Sequence, residues 1–179
     1  MPPAPVAIDS RQHQQQLGQL TEWQISGKFG FKSPEQKQSA SLSWHQNNDD
    51  YLLSLSTILG TSILSMQGKP DWVTLYADDH LYEGPSASEL IWQITGWSLP
   101  VEQLPVWIKG QSITGDQVQL TEQGWIAQLT PACASCQGWL IRYDDYQALA
   151  KFWLPHKIQL LNQDKHIQVT IKVNSWTLK

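Results

Sequence analysis

From Trp23 onward the chain alternates: Trp23, Ile25, Gly27, Phe29 and Phe31 fall on every second position, with Gln24, Ser26, Lys28 and Lys32 between and after them. A period of two belongs to a strand whose successive side chains point to opposite faces, one buried and one wet. The pattern recurs. After a turn at 33–36, Ala40, Leu42 and Trp44 alternate with Ser41, Ser43 and His45, and Asn47-Asn48-Asp49-Asp50 turns the chain again. Residues 51–57, 63–67, 72–77 and 80–83 read as four more strands, the last two divided by Asp78-Asp79. Short strands joined by polar turns in this way form an antiparallel meander.

Two stretches depart from the period. Residues 9–20 are Gln-rich with leucines only at Leu17 and Leu20, a thin helical stripe that Asp9 or Ser10 is placed to cap. Ser86-Ala87-Ser88-Glu89 has the form of a capping box, Leu90, Ile91 and Ile94 follow at helical spacing, and Gly96 supplies a stop. A second short helix, with Pro105 in its first turn, is expected to end near Lys109-Gly110. Strands then resume at 118–120, 125–129, 139–143, 149–154, 157–161 and along Ile167, Val169, Ile171 and Val173. At Asn174-Ser175 the phase slips, so that Trp176 and Leu178 take the buried register, as a β-bulge would produce. About a dozen strands imply a mainly β chain: one large, curled antiparallel sheet with helices lying across one face. The 179 residues suit one domain over 9–179, preceded by a Pro-rich extended tether over 1–8.

The constellations that chemistry requires are scattered. Asp49-Asp50, Asp78-Asp79 and Asp144-Asp145 all fall at expected turns, where short acidic side chains bond the local backbone. His13, His45, His80, His156 and His166 show no metal-ligand spacing, so no metal is expected, and no phosphate loop or nucleophile elbow calls for a cofactor or a catalytic residue. Twelve Lys+Arg against sixteen Asp+Glu leave a net charge of −4, which offers no basic surface to a nucleic acid. No apolar run exceeds three residues, far short of the roughly twenty that a membrane-spanning helix needs. The start, Met1-Pro-Pro-Ala-Pro, lacks the features of a secretory signal, which suits a cytosolic protein or one whose export segment has been removed.

Cys133-Ala-Ser-Cys136 follows Leu129-Thr130-Pro131 and precedes the strand at Trp139. That is a hairpin tip, whereas a redox pair wants its first Cys at a helix N-terminus and zinc wants further ligands. A disulfide clamping the turn, or two free thiols, fits the setting. The loop Thr57-Ile58-Leu59-Gly60-Thr61 puts two branched aliphatics where a hairpin tip is ordinarily polar. Either both tuck into the core, or Leu59 at least stands out as a finger for a partner or a membrane surface.

Ten Trp outnumber five Tyr and three Phe together, and several of them stand within motifs that resemble a known family. Arg11-Gln12-His13-Gln14-Gln15, the strand opening from Trp23-Gln24 to Gly27, and the Leu59-Gly60 loop are similar in order and spacing to LolB, the outer-membrane lipoprotein acceptors of Gram-negative bacteria. So are Glu89-Leu90-Ile91 to Thr95-Gly96, Leu99-Pro100-Val101, Trp107-Ile108-Lys109-Gly110, Leu154-Pro155 and the closing Trp176 with Lys179. Pro105 and the cysteine pair depart from the family pattern.

The resemblance implies an incomplete, unclosed antiparallel β-barrel of about eleven strands, with a helical lid enclosing an apolar cavity. It implies acyl chains of lipoproteins as ligand, the periplasmic carrier LolA as donor, and outer-membrane phospholipid as destination, handled by a single copy of the chain without catalysis or ATP. Leu59, flanked by Ile58 and Gly60, matches the family's protruding leucine and becomes the membrane-insertion residue. With the alternation, the resemblance places Trp23, Ile25, Phe29, Phe31, Leu42, Trp44, Leu53, Leu55, Ile91, Ile94 and Trp107 on the cavity wall. Family members are held at the periplasmic face of the outer membrane by a lipidated N-terminal cysteine; Met1 is expected to stand in its place, leaving this form soluble. Three other readings compete: a Trp-rich carbohydrate-binding β-module, a lipid carrier with other cargo, and a thiol oxidoreductase using Cys133 and Cys136.

Overall fold

Strong alternation over eleven residues makes β1 (Glu22–Lys32) and β2 (Lys37–Asn47) the longest strands of the first half, and burial alternates along both. In the computed structural model, which describes residues 9–179, they open a meander continued by β3 (Asp50–Ser56), β4 (Ser62–Lys69), β5 (Trp72–Ala77) and β6 (His80–Gly84). The tether expected over 1–8 lies outside the described residues. A second meander contains β7 (Gln117–Leu120), β8 (Ile126–Thr130), β9 (Trp139–Leu149), β10 (Phe152–Asn162) and β11 (Ile167–Leu178). β1 pairs with β11 and fuses the two into one eleven-stranded antiparallel sheet, ordered β6-β5-β4-β3-β2-β1-β11-β10-β9-β8-β7. β6 and β7 stand at opposite edges and do not pair, so the sheet is unclosed.

The expected bulge is present: Ser26 faces Ser175 while Gly27 faces Val173, leaving Asn174 without a partner. Trp176 is buried beyond it and Leu178 half-buried. Gly27 is required at this point, because a Cβ there would overlap the Lys172 carbonyl oxygen of β11.

Two expectations about β9 and β10 are corrected. The strand expected over 149–154 is the hairpin joining them: Leu149 pairs with Phe152, and Ala150 turns at φ 54°. The strand expected at 157–161 extends back through Pro155. The ladder to β11 starts only at Lys157, so Pro155 sits where β10 is flanked by β9 alone, an edge-like setting that tolerates proline. Asp144-Asp145 therefore lies inside β9, where Asp145 takes φ 56°, rather than at a turn.

Three α-helices cross one face of the sheet among the described residues: α1 (Ser10–Gln19), α2 (Ala87–Thr95) and α3 (Leu104–Trp107), the last preceded by a 3₁₀ turn at Val101–Gln103. Asp9 caps α1, accepting from the Arg11 amide at 3.0 Å. Buried His13 donates from Nε2 to the Trp153 carbonyl at 3.0 Å, fastening α1 to β10. Ser86 caps α2 as expected, accepting from the Glu89 amide at 3.3 Å. The carboxylate that completes this cap is supplied by Glu102, which accepts from the Ser88 amide at 3.0 Å and the Ser86 hydroxyl at 2.9 Å. Packing of the 3₁₀ turn over the start of α2 brings that carboxylate in, which local spacing around Glu89 does not reveal.

Candidate functional site

Between the sheet and α2–α3 lies an apolar chamber. Phe29, Leu42, Trp44, Leu53, Leu55, Leu64, Met66 and Ile171 form its sheet wall, and Ile91, Trp97, Leu99, Val101 and Leu104 its lid wall. All of these side chains are apolar except for the Trp44 and Trp97 ring N–H groups, which bond Gln46 and Gln36, and the free volume is about 40 Å³. One water molecule needs about 10–15 Å³ of such space, so the chamber as it stands has room for a few waters and not for an acyl chain. The space where the resemblance implies a cavity is almost filled.

Of the residues expected on the wall, Phe29, Leu42, Trp44, Leu53, Leu55 and Ile91 stand on it. Phe31 lies beside it, stacked on Trp97 at 4.8 Å. Ile25 and Trp107 are packed in the core, and Ile94 is half-buried against it. Trp23 packs on Trp44 at 5.1 Å and on Trp176 at 5.3 Å, and borders a different recess. The alternation of β4 and β11 carried a signal for Leu64, Met66 and Ile171. Trp97, Leu99, Val101 and Leu104 come from irregular chain or one-turn helices, where periodicity is silent.

That recess, of about 670 Å³, opens beside the lid and is partly polar, with Tyr51, Glu102 and Lys109 among its lining. Lys109 is only 6% exposed, and its ammonium donates to the Leu17 and Leu20 carbonyls at the end of α1, at 2.8 and 3.0 Å. Burial lowers its pKa to about 8. Burial pushes Glu102 the other way, but hydrogen bonds from Ser88 and Ser86 outweigh it and hold this carboxyl below its ordinary value. Tyr51 is pushed up to about 12 by burial and by the charge of Glu102. The Lys109 ammonium braces the end of α1 and the Glu102 carboxylate the start of α2. Tyr143 anchors α3 by donating to the Trp107 carbonyl at 2.7 Å. No cluster of three His, Cys, Asp or Glu able to hold a metal occurs among the described residues.

At the β3–β4 connection Ile58 and Leu59 are 92% and 93% exposed. The tip is preformed: Gly60 takes φ 88°, its amide donates to the Thr57 carbonyl at 2.9 Å, and the Thr57 amide donates to Thr61 at 2.8 Å. Cys133 and Cys136 form a disulfide beside the 3₁₀ turn Ala134–Cys136, between β8 and β9. Trp72 on β5 and Trp92 on α2 are the exposed tryptophans. They lie on separate elements, not on the single aromatic face that stacking on sugar rings requires.

An open antiparallel sheet closed over by short helices around an apolar chamber defines the class of protein first. The fold matches that of a LolA superfamily protein of Nitrosomonas europaea with a TM-score of 0.61, over 97% of this chain and 94% of that one, at 8% identity. It also matches a DUF1329 family protein of Desulfovibrio piger, with a TM-score of 0.59 over 95% and 92% of the two chains, at 6% identity. The sequence is more specific. A family profile described as outer membrane lipoprotein LolB matches residues 21–176. The chain is 34% identical to the outer-membrane lipoprotein LolB of Tolumonas auensis, over 94% of this chain and 83% of the relative. It is 38% identical to that of Cellvibrio japonicus, over 95% and 84%. The chain belongs to the LolB family of outer-membrane lipoproteins.

Proposed function

We propose that this protein accepts acylated lipoproteins from a LolA-type periplasmic carrier and places them in the inner leaflet of the outer membrane. The observation that carries the reading is the wholly apolar chamber under a short helical lid, in a chain of this family. Each methylene removed from water is worth about 0.8 kcal/mol, so a chain of some sixteen carbons resists release into water by about 12 kcal/mol. Such cargo travels only between greasy enclosures. An acceptor that binds acyl chains more tightly than the carrier and less tightly than a bilayer makes each transfer downhill, with no covalent step and no ATP.

The Ile58–Leu59 tip supplies the contact with lipid. It is apolar, solvent-exposed and rigidly turned, and dipping both side chains into the acyl boundary brings the chamber to the surface that receives the cargo. No described helix is long and apolar enough to cross a membrane. Attachment at the periplasmic face through an N-terminal lipid, with the protein acting as a single copy, completes the reading.

The test mixes the purified protein with a LolA-type carrier loaded with labelled lipoprotein, then separates the two proteins. The label moves to this protein, and onward when phospholipid vesicles are added. Retention of the label on the carrier refutes the acceptor reading, and efficient uptake of unrelated lipids in preference to lipoprotein favours a carrier with other cargo.

A further inference from the structure

The chamber is walled by apolar side chains and has little free volume, and one of the side chains lining it is set apart by how it is held. Trp97 belongs to neither strand nor helix: residues 96–100 are irregular chain, entered through Gly96 in a left-handed conformation at φ 78°. Its indole stacks on Phe31 at 4.8 Å with 21° between the planes, and lies 5.7 Å from Phe29. Although Trp97 is 5% exposed, its ring N–H reaches the rim and donates to Gln36 Oε1 of the exposed β1–β2 turn at 3.0 Å. The neighbouring Ser98 accepts from exposed Lys165 Nζ at 2.9 Å. Each latch ends on an exposed partner, Gln36 or Lys165, which water takes over when the latch opens, at little net cost.

The rest of the lid is tied differently. α3 is held by the buried Tyr143 hydroxyl and by Lys109, and the start of α2 by Glu102. The other bonds of 96–100 stay within the lid, from the Gly96 amide to the Trp92 carbonyl, from the Trp97 amide to Thr95 Oγ1, and from the Val101 and Gln103 amides to the Leu99 and Pro100 carbonyls. This segment is therefore tied to the sheet by the two rim latches, and Trp97 is its only aromatic side chain.

We infer that Trp97 is a built-in surrogate for the acyl chain: it occupies the binding chamber when no cargo is present, is displaced as acyl chains enter, and returns as they leave. This rests on the acceptor reading and names the residue that sets its affinity. Binding exchanges one apolar occupant for another, so acyl chains are held less tightly than in an empty chamber. Release to a bilayer is assisted because the walls are never left facing water. An indole buries on the order of 150–250 Å², enough for its eviction to weigh heavily against cargo.

The test uses protein labelled with 5-fluorotryptophan, in which the Trp97 fluorine resonance is assigned by its absence from Trp97→Phe, and a synthetic peptide bearing S-dipalmitoylglyceryl cysteine as probe. Saturating probe moves the Trp97 resonance from a buried to a solvent-exposed position. Trp97→Ala binds the probe on the order of tenfold more tightly and surrenders it on the order of tenfold more slowly to phosphatidylethanolamine vesicles. Saturable binding with an unmoved Trp97 resonance overturns the inference while leaving the acceptor reading in place, and does so even if Trp97→Ala fails to fold. Absence of probe binding by wild-type protein and Trp97→Ala alike overturns both.

Discussion

Replacing Leu59 by Glu separates the membrane step from every other step. With Ile58 and Leu59 at 92% and 93% exposure, almost the whole of both side chains is available for transfer into lipid. Full burial of one such side chain is worth about 1.5–3 kcal/mol, so the intact tip supplies roughly 3–6 kcal/mol of attachment. Leu59→Glu removes about half of that and adds a carboxylate that resists entry. At about 1.4 kcal/mol per tenfold, attachment to vesicles weakens by roughly 10- to 100-fold. The fold is untouched, because the tip is held by backbone bonds and by the Thr57 hydroxyl, which accepts from the Thr61 amide at 3.1 Å, and Leu59 contributes nothing to the core. Vesicle flotation and transfer of labelled lipoprotein, run side by side, provide the assay. The variant takes label from the carrier at the wild-type rate and retains it. Delivery to vesicles at the wild-type rate would refute the assignment of the tip as the membrane contact.

Three further outcomes are expected. Replacing both Cys133 and Cys136 by Ser opens a loop spanning a sequence separation of only three; loop-closure entropy for so short a loop puts the loss near 2 kcal/mol in urea unfolding, with lipoprotein transfer preserved. Loss of transfer without loss of stability would instead support thiol chemistry. Gly27→Ala forces a methyl group against the Lys172 carbonyl, backbone that cannot swing aside, and lowers stability by about 3 kcal/mol or more, measured by the same unfolding. Stability also changes with pH in two opposed windows. Lys109 disfavours its charged form when folded, so the unfolded chain binds the extra proton and stability rises from pH 8 to about 10.4. Tyr51, Tyr143 and Tyr146 are all shifted upward by burial, so the folded chain keeps protons that the unfolded chain loses, and stability falls above about pH 10. Urea unfolding at pH 7.5, 9.5 and 11 resolves both limbs, and Lys109→Met abolishes the first.

The strands announce themselves because alternation is local: Trp23 to Phe31 carry their own inside and outside, whatever they pair with. The bulge at Asn174 was legible for the same reason, since a slipped phase has only one cure in a strand with a buried face. Where a β-strand contains a helix breaker or an acidic pair, the local signal misleads. Pro155 and Asp144-Asp145 suggested breaks and turns, whereas β9 and β10 run past them as an eleven-residue hairpin arm on each side. The register of β9 with β10 decided that, and register is a property of two strands together. The capping residue of α2 was similarly half legible: Ser86 acts within its own helix, but Glu102 arrives from the next turn of chain.

The sequence by itself determined the fold class, the inner face of most strands, the ends of α2 and the apolar character of the Thr57–Thr61 tip. These follow from periodicity, turn chemistry and capping over a few neighbouring residues. Only the tertiary structure decided that the tip projects into solvent, that Lys109 is buried at the end of α1, and that Trp97 closes the chamber opposite the alternating residues of the sheet. Each of those is a meeting of side chains remote in sequence. Pattern specifies which faces are apolar, but the volume left between two apolar faces depends on how closely they approach and on which side chain enters the space between them.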